Sequence, residues 1–130
     1  MIVIGIDPGV ETGLAIAVDG QLEHVTSLAI HDAMQLVRKY SGALVVFEDA
    51  RLRARGGPMS AATAQGAGSV KRDCKIWQDY LTAIGMQFKA IKPIKGKTKV
   101  KAADFVAQTG WQGRTNEHAR DAAMIALHGA

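Results

Sequence analysis

Two short apolar runs in the sequence each end abruptly at an acidic residue. Residues 2–6 are apolar and rich in β-branched side chains, and Asp7 follows them, succeeded at once by a proline and a glycine. Proline fixes φ and glycine permits a turn, so this pattern predicts a strand that stops at Asp7. Residues 43–47 form a second continuous apolar run, typical of a strand buried on both faces, and it stops at Glu48. Each predicted strand therefore carries one carboxylate at its end.

The rest of the sequence alternates between strand and helix patterns. Two further strands, residues 13–18 and 21–28, are joined by Asp19-Gly20, a two-residue signal of a tight hairpin, and residues 86–91 predict a last strand. Apolar residues recur at helical spacing in the other segments. The predicted helices span residues 30–40, 59–84, 100–108 and 116–127. The resulting order, β-β-β-α-β-α-β-α-α, indicates a mixed α/β fold.

Length and composition narrow the class of protein. The chain has 130 residues, which fits one domain spanning residues 1–130. Lys and Arg outnumber Asp and Glu by 16 to 12, and the net charge of +4 favours a polyanionic partner. Cys74 is the single cysteine, which excludes an intramolecular disulfide and a cysteine metal cluster and suits a reducing compartment. With no secretory signal pattern and no apolar stretch of membrane-spanning length, we expect a cytoplasmic protein without a membrane partner.

The two strands that end in acids are expected to meet. A helix lies between them along the chain, and a helical crossover favours parallel neighbours in one sheet. Asp7 and Glu48 would then emerge at the same edge of the sheet. His118 and Asp121 stand three positions apart in the last predicted helix, so they share one of its faces. We therefore expect these four side chains to converge on one site.

Three carboxylates and one imidazole in a basic domain suit divalent cations that hold a phosphodiester. Oxygen ligands match hard cations such as Mg²⁺ or Mn²⁺, and two such ions would activate an attacking water and stabilise the leaving oxygen. Taken singly, each residue also has an ordinary structural explanation. Asp7 could be a turn residue, and His118 or Asp121 could simply favour a helix N-terminus.

Four short motifs occur in order over nearly the whole chain. They are Gly5-Ile6-Asp7-Pro8-Gly9 with Thr12-Gly13, then Val46-Phe47-Glu48, then Ala64-Gln65-Gly66-Ala67-Gly68, and finally His118-Ala119-Arg120-Asp121-Ala122-Ala123. Together these motifs resemble those of RuvC-type Holliday junction resolvases. The chain is shorter than typical bacterial members, which makes it similar to the small phage-type relatives. Family members often place an aromatic residue soon after the strand-end Glu, whereas Asp49-Ala50-Arg51-Leu52 follows here.

The resemblance implies both a fold and an activity. The implied fold is ribonuclease H-like, with a mixed five-stranded sheet flanked by helices. The implied activity is cleavage of four-way DNA junctions by paired symmetric nicks, carried out by a homodimer in recombination, repair or phage DNA processing. It also implies two Mg²⁺ ions per active site, with Mn²⁺ as a substitute. The implied catalytic and metal-binding residues are Asp7, Glu48, His118 and Asp121, the third being a position where the family has Asp or His.

Under this interpretation the clustered cations become candidate DNA-binding residues. We expect three lysines to hold the DNA backbone beside the metal ions and three arginines to contact another arm of the junction. These residues are Lys95, Lys97, Lys99, Arg51, Arg53 and Arg55. Asp49 is expected to be a solvated or DNA-proximal neighbour of the site rather than a ligand. The Ala- and Gly-rich helix at residues 59–84 is the candidate dimer interface.

Two other functions remain open from the sequence. A junction-binding architectural protein of the same fold would bind branched DNA without cutting it. The first motif also resembles the phosphate loop of sugar kinases and actin-like ATPases, but those proteins enclose a nucleotide between two such domains. A chain of 130 residues has room for one.

Overall fold

A computed structural model describes residues 1–52, 61–94 and 99–130, and over these residues it contains one sheet and four α-helices. The strands are β1 (Ile2–Asp7), β2 (Glu11–Val18), β3 (Gln21–Ala29), β4 (Leu44–Glu48) and β5 (Gln87–Ile91). The helices are α1 (Ile30–Arg38), α2 (Ala61–Ala83), α3 (Ala102–Thr109) and α4 (Glu117–His128), and a 3₁₀ turn (Ala50–Leu52) follows β4. The element order predicted from the sequence is therefore confirmed. The boundaries differ by a few residues.

The sheet has five strands in the order β3-β2-β1-β4-β5. The first three strands form an antiparallel meander, while β4 and β5 run parallel to β1. Asp19 and Gly20 both have positive φ, 50° and 83°, as the tight hairpin turn requires. In the β1–β4 pair Ile6 lies opposite Phe47, so the chain leaves both strands side by side at the next residue. The predicted parallel pairing of the two acid-tipped strands is confirmed.

The two faces of the sheet are covered by different helices. On one face, buried side chains of β1 and β4 pack with those of α1 and α2, including Val37, Trp77 and Leu81. On the other face, α4 packs against the strands together with Phe105 of α3. Val46 faces α4, so the alternation of side chains along β4 places Glu48 on the α4 side as well.

Two glycines let α4 lie unusually close to the sheet. A Cβ atom built at Gly5 would collide with the backbone oxygen of Ala122, and one built at Gly13 would collide with the backbone oxygen of His118. The helix backbone therefore rests directly on β1 and β2, an approach that only glycine permits. This packing brings the first turns of α4 to the end of β1.

Helix α2 is anchored to the sheet by its buried side chains. Cys74 and Trp77 are fully buried. At Gly66 and Gly68, no described residue outside their own helix lies within 4 Å of a Cβ built at either position. Among the helices in the described part of the chain, none has both the length and the apolar character needed to cross a membrane.

Candidate active site

Asp7 and His118 form the first pair of the site. The Nδ1 atom of His118 lies 3.1 Å from Oδ2 of Asp7, and the Asp7 side chain is only 16% exposed. Burial raises the pKa of Asp7 above its ordinary value, although the hydrogen bond with His118 opposes that rise. The negative charge of Asp121 raises this pKa further, while the positive charge of Lys99 lowers it. Electrostatic coupling therefore extends from the end of β1 to α4 and to Lys99.

Asp121 forms the second pair of the site, with Lys99. The Asp121 carboxylate is buried, and it accepts hydrogen bonds from the backbone N–H of Lys99 at 2.7 Å and from its Nζ at 3.1 Å. The same ammonium lies 3.1 Å from Oε1 of Glu117. Lys99 has a positive φ of 61°, a conformation that costs free energy in a residue with a Cβ. Partial burial alone would lower the pKa of Lys99, but its bonds to the two acids reverse this and raise the pKa above its ordinary value.

Glu48 ends β4 beside the end of β1, as the sequence predicted. Its backbone oxygen accepts a contact of 3.6 Å from the Cys74 thiol of α2. The N–H of the next residue, Asp49, donates to the backbone oxygen of Ile91 at 2.8 Å. The main chain on the C-terminal side of Glu48 is therefore held both by α2 and by β5.

Asp49 is buried, so the expectation that it is solvated is wrong. Its carboxylate accepts hydrogen bonds from the backbone N–H of Arg51 at 2.9 Å and from the guanidinium, with Nη2 at 2.7 Å. The same Nη2 donates to Oε1 of Gln78 on α2. The reason is local, because an Asp two residues before a backbone N–H readily closes a turn. Arg51, predicted to bind DNA, thus makes its described polar contacts inside the protein.

The donor set matches a hard divalent cation in kind, since it offers carboxylate oxygens and an imidazole nitrogen. The structure brings Asp7 together with His118, and Asp121 together with Lys99 and Glu117. Within residues 1–52, 61–94 and 99–130, no three His, Cys, Asp or Glu side chains form a group that could hold a metal ion. The ammonium of Lys99 supplies the positive charge that a cation would supply to Asp121.

The predicted DNA-binding residues divide into two sets. Arg53, Arg55, Lys95 and Lys97 lie outside the described residues. Arg51 and Lys99 are described: Arg51 binds Asp49 and Gln78, and the ammonium of Lys99 belongs to the site itself. The role of Glu117 and the bonding role of Asp49 were not predicted from the sequence. The Asp-x-Arg spacing after Glu48 was the available signal for the Asp49–Arg51 pair, whereas nothing local indicated that Glu117 and Asp121 share one lysine.

A structural comparison supports the architecture described above. The chain is similar in structure to T. thermophilus RuvC in complex with Holliday junction substrate, with a TM-score of 0.65 and 19% sequence identity. The match covers 98% of this chain and 91% of that chain. The chain has the ribonuclease H-like fold of RuvC. At the level of the fold, this confirms the resemblance that the sequence motifs indicated. No protein-family model matches the chain, and no curated protein matches it.

Proposed function

We propose that this protein is a metal-dependent endonuclease that resolves four-way DNA junctions by paired symmetric nicks. One observation carries the proposal. The strand-end Asp7 contacts His118 from α4, at a sequence separation of 111 residues, and its pKa responds to the charge of Asp121. Sequence motifs that resemble those of RuvC-type resolvases thus meet at one edge of a RuvC-like sheet. Recombination, repair or phage DNA processing would be the setting of such an activity.

In this proposal Asp7, Glu48, His118 and Asp121 would hold two Mg²⁺ ions, with Mn²⁺ as a substitute. Such ions, when bound, supply an activated water and stabilise the leaving oxygen of the phosphodiester. The protein prepares the site through the partly buried Asp7 carboxylate, whose charge a cation would balance. A neutral His118 that donates from Nδ1 to Asp7 keeps Nε2 as an acceptor, the form in which imidazole binds a cation.

The positive charge of the chain supports a DNA substrate. The net charge is +4. In the sequence, Arg53 and Arg55 follow Glu48, and Lys95 and Lys97 precede Lys99. We propose that these side chains bind phosphates of the junction arms. Replacing Lys95 or Lys97 with Glu should then weaken junction binding and reduce its dependence on salt concentration. An unchanged salt dependence would remove these two lysines from the interface.

Symmetric cleavage needs two active sites related by a two-fold axis, so we propose a homodimer. Helix α2 is the proposed interface because small and apolar residues are exposed on its surface in the single chain. Gly66 and Gly68 are exposed, and about two-fifths of the surface of Val70 and of Ile76 is accessible. Analytical ultracentrifugation with and without junction DNA tests this part of the proposal.

A second candidate function is a junction-binding protein that does not cut. The contact between Lys99 and Asp121 favours it, because this pair is neutral overall without any metal ion. Such a protein would share the fold and the basic charge but would need no cation.

Incubation of the purified protein with a mobile four-way junction separates the two functions. The reaction is run with Mg²⁺, Mn²⁺ or Ca²⁺, alongside three-way junctions, flaps and linear duplexes. Nicked duplex products that appear with Mg²⁺ and Mn²⁺ and are selective for the four-way junction support the endonuclease. A retarded but uncut complex supports the binding protein. If the protein neither binds nor cuts the junction, both functions are contradicted.

A further inference from the structure

The turn after Glu48 holds an ionic cluster, built around the buried carboxylate of Asp49, that the proposed chemistry does not use. It consists of Asp49, Arg51 and Gln78, which we call the Asp49 clasp. The Asp49 side chain is 3% exposed, and both of its carboxylate oxygens bind the Arg51 guanidinium. A buried carboxylate with a two-point guanidinium contact is among the stronger and more directional polar interactions in proteins. Such a cluster fixes the local main chain.

The clasp ties Glu48 to α2 at two points. Gln78 binds Arg51, and Cys74, one helical turn earlier, contacts the backbone oxygen of Glu48. On the other side, the Asp49 N–H continues the hydrogen bonding to β5. The peptide that leaves Glu48 is therefore fixed by a strand, a helix and an ion pair together. Because the direction of a side chain follows from its main chain, these contacts also set the direction of Glu48.

We propose that the Asp49 clasp positions Glu48 for cleavage, and that Arg51 acts through Glu48 rather than by contact with DNA. This inference rests on the proposed endonuclease function. It assigns Asp49, Arg51 and Gln78 as positioning residues. It also gives a reason why an arginine stands there, since a lysine could not bind both carboxylate oxygens and Gln78 in one plane.

Two substitutions with opposite charge effects distinguish this role from DNA contact. Asp49→Asn raises the net charge by one, and Arg51→Gln lowers it by one. If Arg51 contacted phosphate, Arg51→Gln would weaken junction binding and reduce its salt slope by about 1, while Asp49→Asn would leave binding equal or tighter. If the clasp positions Glu48, both changes slow cleavage of the bound junction by about 10- to 100-fold, because small displacements of a catalytic group have effects of that size.

The experiment measures single-turnover cleavage with saturating protein, junction Kd, and the thermal unfolding midpoint for each variant. We expect Asp49→Asn, Arg51→Gln and Arg51→Lys all to slow cleavage while Kd stays within about twofold, since no phosphate contact is lost. The double variant Asp49→Asn with Arg51→Gln should be no slower than the slower single variant. Gln78→Met changes only the exposed arm of the clasp, so it keeps the fold and should show a smaller loss of rate.

Lys75→Gln is the matched control. It removes a positive charge from α2, the helix that carries Gln78. It also breaks the exposed Lys75–Asp79 pair, which lies outside the clasp. Its cleavage rate should equal that of the unmodified protein. Recovery of full activity in Arg51→Lys, or unchanged cleavage in Asp49→Asn, would overturn the clasp alone. An unmodified protein that does not cut any junction would instead overturn the proposed function and the clasp with it.

Discussion

The two sides of the candidate site are built by different means. On the α4 side, Gly5 and Gly13 let the helix backbone touch the strands, so main-chain packing sets the positions of the acids there. On the α2 side, polar side chains, chiefly Asp49 and Arg51, hold the main chain that follows Glu48, and they act on Glu48 through that main chain. Contact between backbones leaves little room for adjustment, whereas an ionic cluster can be weakened gradually. Substitutions on the α4 side should therefore have larger and sharper effects than those on the α2 side.

The largest effect is expected at the acid where β1 ends. Asp7→Asn should reduce cleavage by about 10³-fold or more, because it removes a ligand from a metal-assisted reaction worth several kcal/mol. Junction affinity should stay the same or increase, since a negative charge that would face phosphate is lost. Single-turnover cleavage and junction binding measure both quantities. Asp19→Asn, at the exposed turn between β2 and β3, is the control and should leave cleavage intact. Substantial cleavage by Asp7→Asn would contradict the proposed site.

The next effect tests the backbone contact itself. Gly13→Ala places a methyl group against the backbone oxygen of His118, so α4 must move away from the sheet. We expect a loss of about 2–3 kcal/mol in the free energy of unfolding, as for an overpacked core, measured by urea denaturation. Gly66→Ala is the matched control, because a helical glycine with open space around it should gain up to about 1 kcal/mol on substitution. If Gly13→Ala costs less than about 0.5 kcal/mol of unfolding free energy, as an ordinary surface substitution does, then α4 shifts easily and the proposed close packing is contradicted.

Much of the fold was predictable because its signals are local. The Asp19-Gly20 pair encodes its own turn through positive φ values, and a helix between two apolar runs favours their parallel pairing. The convergence of Asp7 with His118 followed from that pairing and from the motif resemblance. The glycines of the first motif were visible in the sequence, but their purpose depends on a helix about one hundred residues later.

The partners of the charged residues were not predictable in the same way. Charged side chains are usually exposed, so a stretch such as Asp49 to Arg51 is naturally read as a solvated basic loop. In the folded chain Asp49 is buried, and Arg51 binds both Asp49 and Gln78, which lies 27 positions beyond Arg51. Likewise, Lys99 lies in a cationic segment that suggests DNA contact. Only the folded chain shows that the backbone N–H and the ammonium of Lys99 both donate to the Asp121 carboxylate.

A smaller loss of stability is expected at Lys99, whose side chain, rather than its backbone packing, contributes to the α4 side of the site. Lys99→Met removes the ammonium that Asp121 and Glu117 share. Asp121 keeps the backbone N–H of residue 99, and the Lys99 side chain is 68% exposed, so the loss of unfolding free energy should be about 1–2 kcal/mol. Adding Mg²⁺ should then raise the thermal midpoint more than it does in the unmodified protein. The exposed Lys101→Met serves as the comparison, and an equal response of both variants to Mg²⁺ would contradict this role of Lys99.

The smallest effect separates the two sides by the sign of their pH dependence. Burial raises the pKa of Asp7 above 3.8, whereas the hydrogen bond from the Arg51 guanidinium lowers the pKa of Asp49 below 3.8. The folded protein therefore binds the Asp7 proton more tightly than the unfolded chain does, so this contribution to stability is lost as the pH rises from 3.8 through the raised pKa. The contribution of Asp49 is present above 3.8 and is lost as the pH falls through the lowered pKa.

Urea denaturation between pH 3 and pH 7 tests these opposite signs on two variants. Asp7→Asn should gain stability relative to the unmodified protein as the pH rises above about 4, because only the unmodified protein then ionises a partly buried carboxylate. Asp49→Asn should be less stable near neutral pH, and its deficit should shrink as the pH falls below about 4, where the unmodified Asp49 also becomes protonated. Differences of the same sign in both variants would mean that the two carboxylates are stabilised alike. The contrast between a packed, desolvated acid and an ion-paired one would then fail.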